Sequence, residues 1–472
     1  MPLWCVKYVP MIDLPIHGMQ ISIWKNLSDP RYGFAAFYEL HYFTPYLGFY
    51  SLARVFAVWT SVLVAIKLAV SASVLALPLS LVPFLRRTSA SRWWSLLGFP
   101  LAYGYSFDWG FTNFMMGTPI AFLYLAFAVD YARAPTGRRA AVLAVFTLAL
   151  FWAHGILVLF CPLLAGVIVL AQGRADRAPS LRLALRLAPL ASPVPAMIAW
   201  YLIDHHRAHE PTAWQVGPAR FYDLFSLSDL GPPALAAGSI VVTGLVIALR
   251  NRDPARAKVT GLAYAIAVGA VLFWPGTLVG TVRISQRFGV FVLPFLVAWL
   301  CPPAPRVVRV ALVAGVAAWM VLLVARFRTF DRDARDYEEI ASAIGPRPCI
   351  RPLIFIETAD DVPFLHFPAW TQAEKGGLYG MSFAKIFTIA RSVPGGPELM
   401  TQKEGWESEN FDWRRELGRP YDTYVVRSPL AGAALTRRLF DGAGDRVRLV
   451  AERGKWHIYA APRAPSSIIG PF

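Results

Sequence analysis

The feature that most constrains this chain is a series of long segments that contain no Asp, Glu, Lys or Arg. A helix needs about 20 mostly apolar residues to cross about 30 Å of hydrocarbon, where an unpaired backbone group costs several kcal/mol. The segments occupy residues 93–107, 109–129, 140–173, 187–203, 231–249, 259–282, 288–305 and 310–325. Only 16% of all residues are charged, against about 25% in soluble domains. The sequence therefore predicts a polytopic helical membrane protein and excludes a soluble globular one.

Two apolar regions are too long for a single crossing of the membrane. The 140–173 stretch is predicted to fold back at His154-Gly155, near its middle. Residues 43–85 are apolar apart from Arg54 and Lys67, and they are long enough for two spans or for one span and a re-entrant piece. We therefore predict about ten spans, with the division of 43–85 left open.

The net charge of +16 is concentrated in five short segments between apolar runs, which together hold 16 basic and two acidic residues. The rest of the chain holds 30 basic and 28 acidic residues, close to balance. The five segments are 86–92, 133–139, 173–187, 250–258 and 302–309. Short loops rich in Lys and Arg mark the cytoplasmic side of a membrane protein. The basicity therefore indicates topology rather than nucleic-acid binding, and it places the alternate loops outside the cytoplasm.

After Ala325 the composition becomes polar and mixed. Residues 326–339 predict a polar helix, and runs at 353–356, 423–427 and 447–460 predict strands, the last with a hairpin turn at Arg453-Gly454. About 140 residues suffice for a small domain with its own core. The predicted fold class is therefore mainly α, a polytopic helical membrane bundle with a small C-terminal extracytoplasmic α/β domain.

Three regions follow from these patterns. We predict an outward loop with a juxtamembrane helix over 1–42, a transmembrane helical domain over 43–325, and the extracytoplasmic α/β domain over 326–472. Residues 1–12 are too short to span and lack the features of a signal peptide. We expect either that the N-terminus lies outside or that a first span precedes this sequence.

The stretch from Asp13 to Trp24 is the most informative of the predicted outward segments. Asp is favoured as a helix N-cap, and Pro15 suits the first turn of a helix that starts there. The apolar residues Ile16, Met19, Ile23 and Leu27 recur at helical spacing. They predict an amphipathic helix that lies in the outer membrane interface. Asp13 is either a helix cap alone or a carboxylate at the mouth of a cavity that accepts a proton from a hydroxyl, and both roles are compatible.

Other polar residues lie close to predicted spans. Glu39 and His41 precede an apolar run. They either form an ordinary polar collar at the membrane surface or bind substrate. Asp108 and Asn113 interrupt two apolar runs, and they either line a cavity or belong to a simple hairpin turn. The spacing of the histidines and acids at 204–210 does not discriminate a metal site, and we predict none.

Arg283 and Arg287 lie before a span on the predicted outer side. They are four residues apart, so on a helix they share one face. Two guanidinium groups there would bind a phosphate, either that of a substrate or that of lipid headgroups.

The chain resembles the bacterial integral-membrane glycosyltransferases of the GT-C superfamily, nearest to their poorly characterised members. The resemblance rests on the Asp13–Trp24 segment, the YFTPY-like entry at Tyr42–Tyr46 and the stretch Tyr103–Gly117, together with an arginine-bearing outer loop and a polar C-terminal domain. It implies transfer of a sugar from a polyprenyl-phosphate donor to a glycan or lipid acceptor outside the cytoplasm, with inversion. By this likeness the protein lies in the bacterial inner membrane, in contact with membrane lipid.

The resemblance also implies residue roles. By it Asp13 takes the role of catalytic base, and Arg283 and Arg287 hold the carrier phosphate. From their positions near the predicted spans and the outward helix, the further candidate substrate-binding residues are His17, Glu39, His41, Asp108 and Asn113. The resemblance implies no definite cofactor, because some members of the superfamily need a divalent metal and others do not. We expect Asp13, Asp108 and Arg283 to converge on one outer cavity.

Two other functions remain open at this point. A transporter or flippase of a lipid-linked or small-molecule substrate would predict paired halves with inverted symmetry, which the sequence does not indicate. A non-catalytic assembly protein would tolerate loss of the acidic residues.

Overall fold

The computed structural model describes residues 2–204, 212–214, 217–218, 220, 223–224, 257–278, 281–385 and 389–462. The chain divides into two compact units. The first unit comprises Met1–Tyr42, Tyr50–Leu68 and Leu323–Phe472, and the second unit comprises Phe43–Phe49 and Ala69–Leu322. The N-terminal segment thus belongs to the same unit as the C-terminal domain, a grouping that differs from the three consecutive regions predicted above.

Helices dominate the described residues. In chain order they are α1 Leu14–Asn26, α2 Leu47–Phe56, α3 Val62–Arg87, α4 Gly98–Ala102, α5 Tyr105–Asp108, α6 Thr112–Arg133, α7 Gly137–Ala153, α8 Gly155–Ala175, α9 Ser180–Leu187, α10 Val194–Asp204, α11 Ala257–Phe273, α12 Ile284–Arg287, α13 Gly289–Leu300, α14 Arg306–Ala341, α15 Ala369–Lys375, α16 Gln402–Trp406, α17 Trp413–Glu416 and α18 Gly432–Leu439. Short 3-10 turns connect several of them, at Pro2–Trp4, Phe34–Ala36, Arg92–Leu97, Ala188–Ala191, Ala359–Phe364, Phe383–Lys385, Ser408–Asn410 and Gly444–Arg446.

The strands form three small sheets. They are β1 Tyr38–Leu40, β2 Thr277–Leu278, β3 Thr281–Val282, β4 Cys349–Ile354, β5 Leu378–Tyr379, β6 Ala390–Ser392, β7 Thr423–Arg427, β8 Arg448–Arg453 and β9 Trp456–Ala460. The largest sheet has the order β5-β4-β7-β9-β8, and β1-β6 and β2-β3 are two-stranded ribbons. β4 pairs with β5 and β7 in parallel, whereas β9 pairs with β7 and β8 antiparallel. The strands predicted at 423–427 and 447–460 and the hairpin within the latter are confirmed, whereas the strand predicted at 353–356 begins and ends earlier, at Cys349–Ile354.

The predicted count of about ten spans is not confirmed. Among the described residues, the helices long and apolar enough to cross a membrane are α3, α6, α8 and α14, with a fifth span if the bent pair 180–191 and 194–203 counts as one. Several predicted segments are shorter or broken: 93–107 contains a 3-10 turn and two short helices, because Gly98 and Gly104 begin new elements there. The predicted span 231–249 lies outside the described residues.

The structure shows which helices the two long apolar regions form. Residues 43–85 contain one spanning-length helix, α3, and the short α2. The 140–173 region breaks at His154, which ends α7 in an extended conformation and caps α8 by accepting the N–H of Ile156 on its side chain. The predicted fold-back point is therefore confirmed.

Aromatic packing builds the core of the second unit. α6 packs against α7 and α8, and α11 packs against α13. Phenylalanine rings pack between these helices at centroid distances of 4.5–6.5 Å, a range typical of favourable aromatic pairs. They are the rings of Phe114, Phe122, Phe160, Phe288, Phe291 and Phe295. Gly117 allows close approach of α6 to Leu157 on α8.

The first unit encloses α1 on all sides. The helix begins after Asp13 as predicted, yet every residue from Leu14 to Ile23 is buried. The predicted amphipathic interfacial helix is therefore wrong, because protein groups satisfy its polar face: Gln20 exchanges hydrogen bonds with the backbone of Ala390, and Ser22 donates to the carbonyl of Ala373 at 2.5 Å.

Candidate functional site

Asp13 occupies the N-cap position of α1 but does not cap the helix with its side chain. Its Oδ1 instead lies 3.4 Å from Nε2 of His366, a residue of the C-terminal part of the first unit. The side chains of Asp13 and His366 are 13% and 4% exposed. The carboxylate is therefore left available for a polar partner other than its own helix.

His17 lies one helical turn after Asp13 and is also buried. Its Nδ1 lies 2.7 Å from the hydroxyl of Tyr50, and the ring of Phe383 packs against both His17 and His366 at centroid distances of 5.7 and 6.2 Å. We name Asp13, His17, Tyr50, His366 and Phe383 the carboxylate–imidazole site. It combines one partly exposed acid with two buried imidazoles and a phenol.

Glu39 and His41 lie on a β-ribbon in the same unit. Glu39 is opposite Arg391 in the antiparallel pair of β1 and β6, and the N–H of His41 donates to the carbonyl of Ile389 at 2.7 Å. Both side chains are partly exposed.

Lys67 holds the N-terminal segment within the first unit. Its Nζ donates to the carbonyl of Val6 at 2.7 Å and lies 4.8 Å from the ring centroid of Trp4. Asp331 accepts the backbone N–H groups of Lys7 and Tyr8 at 2.9 and 2.8 Å. These contacts anchor the residues that lead into Asp13.

Arg283 and Arg287 stack on two aromatic rings of the segment between α5 and α6 in the second unit. The guanidinium carbons of Arg283 and Arg287 lie 3.8 Å from the ring centroid of Trp109 and 3.5 Å from that of Phe111. Nη1 of Arg283 also donates to the hydroxyl of Tyr105 at 3.1 Å. We name Tyr105, Trp109, Phe111, Arg283 and Arg287 the arginine cluster.

The two arginines are not arranged as sequence spacing predicts. Arg283 precedes α12 with a left-handed backbone, φ 54°, and only Arg287 belongs to the helix. A non-glycine residue in this conformation carries strain, and such residues concentrate at functional sites. The aromatic segment, rather than a shared helix face, brings the two guanidinium groups together.

Arg287 also contacts groups beyond the ring of Phe111. Its Nη2 donates to the carbonyl of Val282 at 2.8 Å, and its Nη1 lies 3.2 Å from Nε2 of His154. The ring of Tyr46, from the YFTPY-like motif, packs on His154 at a centroid distance of 5.1 Å. Three segments singled out in the sequence therefore meet around Arg287 or its partner His154: the YFTPY-like motif, the Tyr103–Gly117 stretch and the arginine-bearing loop.

A crevice of about 510 Å³, part of it open to the outside, borders the arginine cluster. Its polar lining includes Ser106, Gln286 and Arg287, and its apolar lining includes Leu77, Met115 and Val290. Asp108 and Asn113 are buried beside this segment but are not among the lining residues. A lining that combines a cationic group with aliphatic groups suits an anion with an apolar tail.

Metal ligation finds little support in the described part of the chain. No group of three or more His, Cys, Asp or Glu side chains there could hold a metal ion. The 204–210 histidine segment lies outside the described residues.

His366, Tyr50 and Phe383 are the members of the carboxylate–imidazole site that the sequence did not suggest. His366 occurs within the apolar run Phe364–Trp370. A polar side chain in such a run is usually buried and then needs a partner. That signal points to a buried histidine, although it does not name Asp13 as the partner.

Comparison with known proteins gives one finding, on the fold. The structure is similar to the crystal structure of ArnT from Cupriavidus metallidurans in the apo state, with a TM-score of 0.52 over 100% of this chain and 97% of that chain. The two sequences are 13% identical. No protein-family model matches the sequence, and no curated protein matches it. The likeness shows that the two chains share a fold. The four or five spanning-length helices among the described residues indicate a multi-pass membrane protein.

Proposed function

We propose that this protein is an inverting membrane glycosyltransferase that uses a polyprenyl-phosphate-linked sugar and a hydroxyl acceptor. The observation that carries the proposal is the position of the Asp13 side chain and its contact with an imidazole. It occupies a capping position without capping, lies 3.4 Å from an imidazole nitrogen and stays 13% exposed. The likeness in fold to ArnT supports the class of enzyme, and the site residues supply the chemistry.

Asp13 acts as the general base in this proposal. The acceptor oxygen forms a bond to C1 of the sugar on the face opposite the carrier, and the bond from C1 to the carrier phosphate oxygen breaks. Asp13 takes the proton of the acceptor hydroxyl, and the carrier phosphate leaves with the bonding electron pair. The anomeric configuration therefore inverts.

The arginine cluster binds the carrier phosphate in this proposal. Guanidinium groups bind phosphate oxygens in pairs, and their charge stabilises the negative charge that develops on the leaving phosphate. Arg287 borders a crevice whose lining also includes aliphatic side chains, which suit the prenyl chain.

The remaining predicted site residues complete the proposal. His17, Glu39, His41, Asp108 and Asn113 bind sugar or acceptor. By the positive-inside pattern the first unit lies outside the cytoplasm of a bacterial inner membrane, where a lipid or glycan would be the acceptor.

Replacement of Asp13 by Asn tests the proposal. The full chain in lipid nanodiscs is incubated with radiolabelled undecaprenyl-phosphate-linked hexoses and pentoses, with a total membrane extract as acceptor source. We expect wild-type turnover on at least one donor and a loss of at least about 100-fold in kcat for Asp13→Asn, because a positioned base contributes about 10²–10⁴-fold. Asp29→Asn is the matched control, since Asp29 pairs only with the exposed Arg31 among the described residues.

Three results would contradict the proposal. Wild-type protein that releases no undecaprenyl phosphate from any donor is not such an enzyme. Full turnover by Asp13→Asn removes the base role. Movement of the labelled lipid across proteoliposome membranes without sugar transfer would favour a flippase instead.

A further inference from the structure

The C-terminal part of the first unit contributes a buried histidine to the site of Asp13. Resting on the function proposed above, we propose that His366 is a positioning residue that holds the Asp13 carboxylate in its reactive orientation. Its Nε2 lies 3.4 Å from Asp13 Oδ1. The histidine thereby links the folded state of the C-terminal part to the reactivity of the N-terminal acid.

Two helices packed side by side fix the distance between the two residues. α1 begins directly after Asp13, and α15 begins three residues after His366. Gly18 of α1 packs directly against the ring of Trp370 on α15, and no larger side chain would fit there. One turn further, Ser22 donates to the carbonyl of Ala373. Because contacts advance together along both helices, the helices run in the same direction and their first residues stay adjacent.

Fold stability alone does not favour a histidine at position 366. The side chain is 4% exposed, and its Nδ1 is buried with no hydrogen-bond partner among the described residues. A buried polar atom without a partner is costly, and an apolar residue of similar size would avoid that cost. The residue therefore matches a functional demand, and its ion-pair partner is Asp13.

The proposed contact also has a defined direction. In it Nε2–H of His366 donates and Oδ1 of Asp13 accepts, since an imidazole N–H is a donor and a carboxylate oxygen is an acceptor. Donation to Oδ1 fixes the plane of the carboxylate and leaves Oδ2 to accept the proton of the acceptor hydroxyl. Catalytic hydrogen bonds are often long without substrate and shorten in the reactive complex, as 3.4 Å allows.

The test compares His366→Leu and His366→Gln with a matched histidine elsewhere in the first unit. Leu fills the site without a donor, whereas the Gln amide can still donate to Asp13. His457 is the control, because it is equally buried, lies 3.7 Å from Glu452, and also has a buried Nδ1 without a partner in the described part of the chain. Turnover is measured with the undecaprenyl-phosphate-linked sugar on which the wild type is most active.

We expect His366→Leu to lower kcat about 10–100-fold with KM for the donor unchanged, the range typical when a supporting partner of a reactive group is removed. His366→Gln should recover part of that loss, and His457→Leu should keep wild-type kcat. On an Asp13→Asn background, His366→Leu should cause no further loss, because the two residues act as one unit.

Full kcat in a folded His366→Leu variant overturns the positioning role. If that variant does not fold, His366→Met takes its place as the apolar variant, and wild-type kcat there overturns the proposal equally. An equal loss in His457→Leu would also overturn it, since the effect would then follow from burial. Full turnover by Asp13→Asn, in contrast, refutes the proposed base itself whatever His366 does, so the two failures are distinguishable.

Discussion

Two buried arginines of the first unit and one arginine of the second unit are held in different ways. In the first unit, Arg427 donates to Asp361, and Arg351 lies 3.2 Å from Glu416, with all four side chains almost fully buried. In the second unit, Arg283 rests on the ring of Trp109 and donates to a tyrosine hydroxyl. The first arrangement pairs each cation with an anion, and the second surrounds the cation with rings and neutral oxygens.

The difference teaches which arginines serve the fold. A buried carboxylate cancels the charge of its guanidinium partner, so such a pair attracts no further ion. An aromatic face or a neutral oxygen orients the guanidinium but leaves its full positive charge. Among the described residues the contacts of the Arg283 guanidinium are with the Tyr105 hydroxyl and the Trp109 ring, so its charge remains able to attract an anion. The first kind of arginine stabilises a domain, and the second kind is suited to bind a phosphate.

Loss of the Asp361 carboxylate should give the largest effect. Asp361→Asn leaves Arg427 buried and poorly compensated, because Asp333 lies 3.7 Å away and is half exposed. We expect the first unit to be destabilised by about 3–5 kcal/mol, as when one partner of a buried pair is removed. Hydrogen–deuterium exchange of the full chain in nanodiscs measures this on peptides that cover β4 and β7. Peptides of α6 should keep wild-type protection.

The stability of the first unit should also depend on pH through the ion pair of Asp361 with Arg427. Burial would raise the pKa of Asp361, but hydrogen bonds and charge from Arg427, with further hydrogen bonds from Thr358, outweigh it and hold that pKa below its usual range. The ionised carboxylate therefore stabilises the first unit above the unfolded pKa, about 3.9. That contribution should diminish as the pH falls below about 5. Equal protection factors over β7 at pH 7 and pH 3.5, each taken against the intrinsic exchange rate at that pH, would contradict this account.

The beginnings and ends of elements could be predicted because their causes are local. Asp13 and Pro15 mark the start of α1, His154 breaks an apolar run, and Gly454 lies in the two-residue turn that joins β8 to β9. Each depends on the backbone preferences of a few neighbouring residues. The strand at 423–427 was predictable for the same reason, since β-branched residues follow one another there.

The surroundings of α1 could not be predicted because they are tertiary. Helical spacing identifies its apolar stripe, but the partners of Gln20 and Ser22 come from β6 and α15, far along the chain. The same holds for His366 beside Asp13 and for the rings beneath Arg283 and Arg287. Sequence spacing selects residue types suited to a chemistry, whereas packing decides which of them meet.

Removal of both charges of the arginine cluster should weaken binding of undecaprenyl phosphate by about 100-fold, since each hydrogen bond to a charged group contributes about 1.5–3 kcal/mol. The variant is Arg283→Gln with Arg287→Gln, titrated in nanodiscs and followed by tryptophan fluorescence. Replacement of both by Lys should recover only part of the affinity, because Lys cannot bind two phosphate oxygens with one planar group.

The matched control changes the same charge in the other unit. Arg414 and Arg415 lie on the exposed side of α17, so their double replacement by Gln alters net charge equally. We expect unchanged affinity. If both double variants lose affinity to the same degree, the effect is one of overall charge, and the contrast between the two kinds of arginine fails.

The smallest effect should come from the ring beneath Arg283. A cation–π contact at a partly exposed site contributes about 0.5–1 kcal/mol, so Trp109→Leu should weaken undecaprenyl phosphate binding about 2–5-fold. Trp109→Phe keeps an aromatic face and should lose less. Trp93→Leu is the control, because Trp93 lies 5.5 Å from Arg309 in the same unit and Arg309 belongs to a predicted cytoplasmic loop. Binding is followed by calorimetry, since the substitution removes a fluorophore. If Trp109→Leu costs as much affinity as the arginine replacements, the ring itself binds the lipid, and stacking does not merely orient a charge.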